Sequence, residues 1–231
     1  MKTKWQQFLF VALILLFASS VISCSTPSPI PEPPKIEDGW IRILIKDVGS
    51  IDYPFDFLEL QSQEYRDIAA EHYQIVLGKS DFTLQQFGLN DLLPSALDKY
   101  RRVIFRTVYM NPGEEVFRAN EKYTLSREEL AEFKDELVDQ LRQEYAKLQS
   151  MGLGNNKIMG SGSLEILEVN GMFPMVHTYK RQLNDNPVVL VKHYIFLNYN
   201  KIHHLSFSYR VVDEEECRDI YDKILDSFRL Q

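Results

Sequence analysis

Five residues in this chain have the chemistry to do more than pack: His193, His203 and His204 in two successive strand-like runs, Cys217 on a helical stripe, and Cys24 at the end of an apolar N-terminal run. Tyr199-Asn200 predicts a two-residue turn, and in that register Phe196 faces His203 while His193 faces Ser206. His193 and His204 then lie diagonally on one side of a sheet, within reach of a bridging metal if their rotamers converge. His203 points to the opposite face. The sequence places no carboxylate or thiol to complete a metal site, so cross-strand packing competes with the ligand reading of both histidines.

Cys217 falls in the first turn of a predicted helix, where the helix dipole lowers a thiol's pKa and favours a nucleophile. Its place on the apolar stripe favours a buried structural cysteine instead. Glu128, Glu129, Glu132, Asp135 and Glu136 supply paired carboxylates, but their position at a helix start is that of a solvated face stabilised by the dipole. Gly152-Leu-Gly154 and Gly160-Ser-Gly162 have the look of a phosphate loop, yet the first pair follows a helix and Lys157 takes the third glycine position. The segment 152–162 is therefore expected to be a flexible loop. No Gly-x-Ser-x-Gly, His-Glu-x-x-His or Ser-x-x-Lys pattern occurs. A triad assembled from distant residues would leave no such trace.

The elements that would position these groups follow from periodicity and turn chemistry. Trp40 to Ile45 predicts a short strand, and Tyr65, Ile68, His72 and Ile75 recur at helical spacing over Gln61 to Val76, stopped by Gly78. His72 on that face is expected to pack or cap. Phe82 to Phe87 and Tyr100 to Tyr109 predict strands, with turns at Leu93-Pro94 and Asn111-Pro112-Gly113. Arg101, Arg102 and Arg106 alternate across the second of these and are expected to be solvated or edge charges.

Ser126-Arg-Glu-Glu129 fits a capping box opening a helix to about Met151, with Leu130, Phe133, Leu137, Leu141, Tyr145 and Leu148 on one stripe and Gly152 beyond its end. From Ser163 onward the pattern is an antiparallel meander. Leu164 to Val169 meets the hairpin signal Asn170-Gly171; Met175 to Leu183, Val188 to Asn198 and Ile202 to Val212 follow. Asp213 is expected to cap a last helix with Cys217, Ile220, Tyr221, Ile224, Leu225 and Phe228 on its apolar side.

Upstream of all this lies an address. Lys2 and Lys4 precede the ten-residue apolar run Phe8 to Phe17, a length that suits a secretory leader and falls short of the roughly 20 residues a membrane helix needs. Val21-Ile22-Ser23-Cys24 resembles the lipobox of bacterial lipoproteins, with Val21 and Ile22 departing from its preferred leucine and small residue. The resemblance implies removal of residues 1–23 and acylation of Cys24. Ordinary cleavage after Ser23 is the alternative and leaves Cys24 a free thiol.

Ser25 to Asp38 holds five of the chain's ten prolines. This predicts an extended linker over 24–38 with a reach on the order of 40 Å. Residues 39–231 then form one α+β domain of about 190 residues. Loss of Lys2 and Lys4 with no acid takes the formal charge from −7 to −9, which argues against nucleic acid and against polybasic docking to anionic lipid. With Cys24 acylated, Cys217 has no disulfide partner in the chain.

Tyr179-Lys-Arg-Gln182, Tyr194-Ile-Phe-Leu-Asn198, Leu205-Ser-Phe-Ser-Tyr-Arg210 and Ile224-Leu-Asp-Ser-Phe228 look like lipoproteins of the Bacteroidota group. The hairpin-then-helix ending resembles PsbP-like domains, and Phe87-Gly-Leu-Asn90 with Tyr100-Arg-Arg-Val-Ile104 extends the likeness inward. The resemblance implies an antiparallel sheet flanked by helices that serves binding or assembly, with no attached chemistry. The expectation is a non-enzymatic, lipid-anchored envelope module that uses no cofactor and meets a membrane and a protein partner. Ser25, in place of the aspartate associated with inner-membrane retention, favours the outer membrane. The alternatives are a small-molecule or lipid carrier and a metal-dependent hydrolase built on His193 and His204.

Overall fold

The computed structural model describes residues 32, 35–45, 48–55, 57–59, 82–87, 100–110, 117–152 and 154–230. The leader 1–23, Cys24 and much of the linker lie outside the described residues. So do the expected helix over Gln61 to Val76 with His72, and the expected turns at Leu93-Pro94 and Asn111-Pro112-Gly113.

The described strands are β1 (Trp40–Ile45), β2 (Gly49–Pro54), β3 (Leu58–Glu59), β4 (Phe82–Phe87), β5 (Tyr100–Tyr109), β6 (Asn156–Ile166), β7 (Met175–Leu183), β8 (Val189–Asn198), β9 (Lys201–Arg210) and β10 (Arg229–Leu230). Helix α1 (Arg127–Ser150) precedes β6, and α2 (Glu214–Ser227) follows β9 through a short 3-10 turn, Val211–Asp213. No helix among the described residues is long and apolar enough to cross a membrane. The strands form a three-stranded sheet, β1-β2-β10, and a seven-stranded sheet, β3-β4-β5-β9-β8-β7-β6. Every strand pairing is antiparallel, and β6 to β9 form the expected meander. The fold is α+β.

Turn chemistry accounts for the meander. Asn170 and Gly171 both adopt positive φ (53° and 73°), the geometry that matches a tight turn to strand twist, and Tyr199 (φ 54°) turns β8 into β9. The capping box is present in both directions: Ser126 Oγ accepts from the Glu129 amide at 3.1 Å, and the Ser126 amide donates to Glu129 Oε2 at 2.6 Å.

Three expectations need correction. The segment 152–162 is not a loop throughout, because β6 begins at Asn156 and pairs with β7, its register shifting between Met159 and Ser163. Gly160 (φ 84°) and Gly162 (φ 69°) place the irregularity there, and a Cβ on Gly162 would stand 2.4 Å from the Thr178 carbonyl oxygen. Asp213 does not cap α2 with its side chain. Its carboxylate instead accepts from Arg210 Nε and Nη2 at 2.6 and 2.8 Å, an ion pair that leaves it aimed away from the helix amides. Arg101 is buried at 5% exposure rather than solvated, since α2 brings Glu216 Oε2 to 2.8 Å from its Nη2.

The large sheet is covered on both sides. On one face α2 and the small sheet enclose an aromatic core in which Phe228 meets Phe105 and Phe196, and Tyr221 meets Phe207 and Tyr209. On the other face α1 sets Phe133 and Leu137 against Met175, Ile195, Leu197 and Ile202. Replacing Gly162 with alanine is expected to cost roughly 1–3 kcal/mol from the steric clash and the positive φ. Gly160→Ala, with no heavy atom within 4 Å of its Cβ position, should cost less, and chemical denaturation of the two variants side by side checks this ordering.

Candidate functional site

The face beneath α1 carries an unusual share of polar side chains. Strand alternation puts Met175, His177, Tyr179 and Arg181 of β7 on that side. His177 pairs in register with His193 of β8, and the diagonal neighbour on β9 is His204. The expected register holds: Phe196 lies opposite His203 and His193 opposite Ser206. His193 and His204 touch, with Nε2 of one 2.9 Å from Nδ1 of the other and ring centroids 5.1 Å apart. One ring donates and the other accepts, so the pair holds a shared proton between two neutral imidazoles.

His177 completes the row across three strands. It is 0% exposed, stacks on Tyr179 with centroids 4.9 Å apart, and finds no hydrogen-bond partner for either ring nitrogen among the described residues. Among the described residues no group of three or more histidine, cysteine or acidic side chains converges as a metal site would require. His193 and His204 thus stand together as the sequence reading placed them, and a metal at the pair would have to replace their mutual hydrogen bond.

Further along the same face, three phenols surround one guanidinium. Arg181 Nη2 donates to Tyr100 Oη at 2.9 Å, and Arg181 Nη1 points at Asn156 Oδ1 at 3.4 Å. Tyr145 of α1 bonds to Tyr179, and both feel the Arg181 charge. Burial pushes the Tyr100 phenol up, but the charges of Arg181 and Arg102, with hydrogen bonds from Ser208 and Arg102, outweigh it and hold the phenol at about 8. Tyr179 and Tyr145 lack that compensation and are raised, first by burial. Among the described residues Arg181 forms no ion pair with a carboxylate; the Tyr100 oxygen accepts from it, and becomes its counter-charge only as the phenol titrates at about 8.

The other expected groups are taken up elsewhere. His203 lies in the aromatic core at 0% exposure, stacked on Phe105 and with Nδ1 3.1 Å from Thr107 Oγ1. Cys217 is 0% exposed in the same core and burial raises its pKa, the opposite of an activated thiol. Sequence reasoning missed Tyr100, Tyr145, Tyr179, Arg181 and His177 as a group. The signal that existed was β7's alternation, which turns an imidazole, a phenol and a guanidinium inward where apolar residues are normal. The partner Tyr100 lies 81 residues away from Arg181, on a strand whose neighbour no local pattern names.

No protein-family model matches the chain, and no curated protein matches it. Among solved structures it is similar to the solution structure of cyanobacterial PsbP from Synechocystis sp. PCC 6803, with 11% identity over 93% of this chain and 99% of that chain and a TM-score of 0.47. A crystal structure from Bacteroides thetaiotaomicron VPI-5482 shares 10% identity over 82% of this chain, which spans 48% of that one, at a TM-score of 0.38. At such identities no functional residue is carried across, and the α+β class rests on the sheets themselves.

The histidine row makes a pH prediction. Burial first, then nearby Lys134, holds His177 at about 4. Burial and then Arg106 hold His204 at about 4, while burial, then His204 and His177, depress His193. Burial, Lys201 and His204 hold His203 at about 4. Folding therefore favours the neutral rings. Their contribution is complete above the unfolded value near 6.5 and is lost as pH falls toward 4, at most on the order of 3 kcal/mol per histidine. Urea midpoints should drop over that window, and His177→Leu should flatten the slope.

Tyr100 makes a second prediction, with the same sign in a more alkaline window. Its phenol is held at about 8 against an ordinary value of 10, so folding favours the phenolate and gains stability as pH rises through that interval. Ultraviolet titration of the native protein should show one tyrosinate step near 8, absent in Tyr100→Phe.

Proposed function

We propose that the chain is a lipid-anchored module of the bacterial cell envelope, placed at the outer membrane, that binds a protein partner or assists an envelope complex without a reaction of its own. The observation supporting this reading most directly is how the groups with chemical potential are used. Cys217 and His203 are packed into the aromatic core, and His193 and His204 bond to each other under α1. Ahead of this domain stand a leader-like run, a lipobox-like Val21-Ile22-Ser23-Cys24 and a proline-rich linker, the parts a surface-held binding domain requires. Acyl chains each contribute about 0.8 kcal/mol per buried methylene, so two or more hold a folded domain at a membrane durably.

The test is metabolic labelling with palmitate and in-cell crosslinking of the wild type beside Cys24→Ala. The wild type is expected to incorporate palmitate, fractionate with membranes and yield a reproducible crosslinked partner. Cys24→Ala should lose the label and the membrane association, and the partner with them. Labelling that persists in Cys24→Ala refutes the anchor, and a wild type that yields no reproducible partner refutes the binding role.

A further inference from the structure

One end of the domain carries side chains that neither core uses, and a chain of contacts ties that end to the point where the linker arrives. Arg229 Nη2 donates to the Glu32 carbonyl at 3.2 Å, and Lys223 Nζ meets the Glu37 carboxylate at 2.9 Å. The linker therefore lies along α2 and comes in from its C-terminal end. There Asn170 Nδ2 donates to the Leu225 and Phe228 carbonyls at 2.8 and 3.1 Å. The Phe173 amide donates to the Ala119 carbonyl at 2.8 Å, Phe117 bridges to Tyr199, and Tyr109 pairs with Lys201. The β6–β7 turn, the segment before α1 and the β8–β9 turn thus form one rim beside the linker.

Three cations on this rim lie over aromatic rings. Arg118 Cζ is 5.8 Å from the Tyr199 centroid, Lys122 Nζ 5.9 Å from that of Phe173, and Lys201 Nζ 5.9 Å from that of Tyr109. Tyr109 is 66% and Tyr199 48% exposed. The described acids near this end are Glu121, 3.8 Å from Arg118, the exposed Glu168 next to the β6–β7 turn, and the exposed Asp226 at the end of α2, whose charge acts on Arg229. Side chains with an apolar body and a polar or charged tip are those that the headgroup zone of a bilayer accommodates.

The length of chain outside the described structure points the same way. Since Glu32 already touches Arg229, only residues 24–31 separate the domain from Cys24, at most about 25 Å even in an extended proline-rich form. The rim end is the end from which that short stretch of chain departs. The chain's overall negative charge excludes polybasic docking, and the rim does not need it: rings seat at the interface while their cations meet headgroup phosphates. A short tether raises the effective concentration to roughly millimolar, so even a weak surface contact is occupied.

We propose that this rim of cation–aromatic pairs rests on the lipid surface that holds the anchor, so that the domain stands end-on with the start of α2 directed away from the bilayer. The proposal rests on the lipid-anchored reading. Its test uses the full acylated chain in protein-free vesicles of phosphatidylethanolamine and phosphatidylglycerol. An environment-sensitive fluorophore is placed at Tyr199→Cys, at Tyr109→Cys as a second rim position, and at Val212→Cys beside the start of α2.

The expected result is a blue shift and quenching by spin-labelled lipid at the two rim positions, and water-like emission at 212. Water-like emission at both rim positions on vesicle-bound protein overturns the proposal, because the domain then stands off on its linker. A blue shift that appears only in native membranes also overturns it, since the rim then meets protein. The mass of Cys24 separately reports whether the anchor exists. If it does not, the same labels titrated with excess vesicles still read the rim, a shift supporting the contact and its absence overturning it.

Discussion

Strands β7, β8 and β9 are covered on both faces, and a polar side chain turned inward from such a strand has no water to fall back on. Burying an amide or hydroxyl without a partner costs about 1–3 kcal/mol, and an unanswered charge far more. The arrangement under α1 reads as a response to this constraint. Arg181 meets the Tyr100 oxygen at 2.9 Å, Tyr145 meets Tyr179, and His193 bonds to His204. Where no partner is at hand, as at His177, the ring stays neutral. Neutrality is the cheaper state for an imidazole in a site that solvates ions poorly.

The two faces of the sheet solve the packing problem differently. Against α2 the interior is aromatic and closed, with Phe228, Phe207, Tyr221 and Tyr209 in ring contact and Ser227 tying the helix end to the Asp52 amide at 2.8 Å. Each fully buried ring or branched side chain contributes on the order of 1.5–3 kcal/mol, which makes this face the main source of stability. Helix α1 is longer, yet Phe133, Leu137 and Val138 are its buried residues. Its remaining inward positions, Tyr145 among them, cover the polar row. One helix holds the fold together, and the other acts as a lid over the groups that titrate.

This division bears on function through what it leaves outside. Among the described residues Cys217, His177 and His203 are buried and the half-buried His193 and His204 bond to each other, while the exposed cation–aromatic pairs gather at the end where the linker arrives. The linker is itself partly docked, through Glu32 and Glu37, which shortens the reach that its composition alone implies. On the proposed lipid-anchored reading, so short a tether would constrain the domain's orientation by geometry alone.

Local chemistry by itself determined most of the longer strands, the start of α1 and the register of the β8–β9 hairpin. Asn170-Gly171 and Tyr199-Asn200 define turns within two residues, the capping box at Ser126 needs only Glu129 three positions on, and period-two alternation placed His193 and His204 on one face and His203 on the other. It failed where an interaction is long in sequence. Arg101 looked solvated because Glu216, 115 residues on, comes close only when α2 packs down, and Asp213 looked like a cap until Arg210 took its carboxylate. The irregular start of β6 hid behind glycines whose positive φ belongs to a bulge as readily as to a loop. Most of all, the Tyr100–Arg181 contact exists because β5 inserts beside β9, bringing β5 within reach of β7 over the two strands between them. Turn and cap energies act over a few residues and can be seen in the chain, whereas strand order is settled by which faces bury most completely together, and that only the tertiary structure decides.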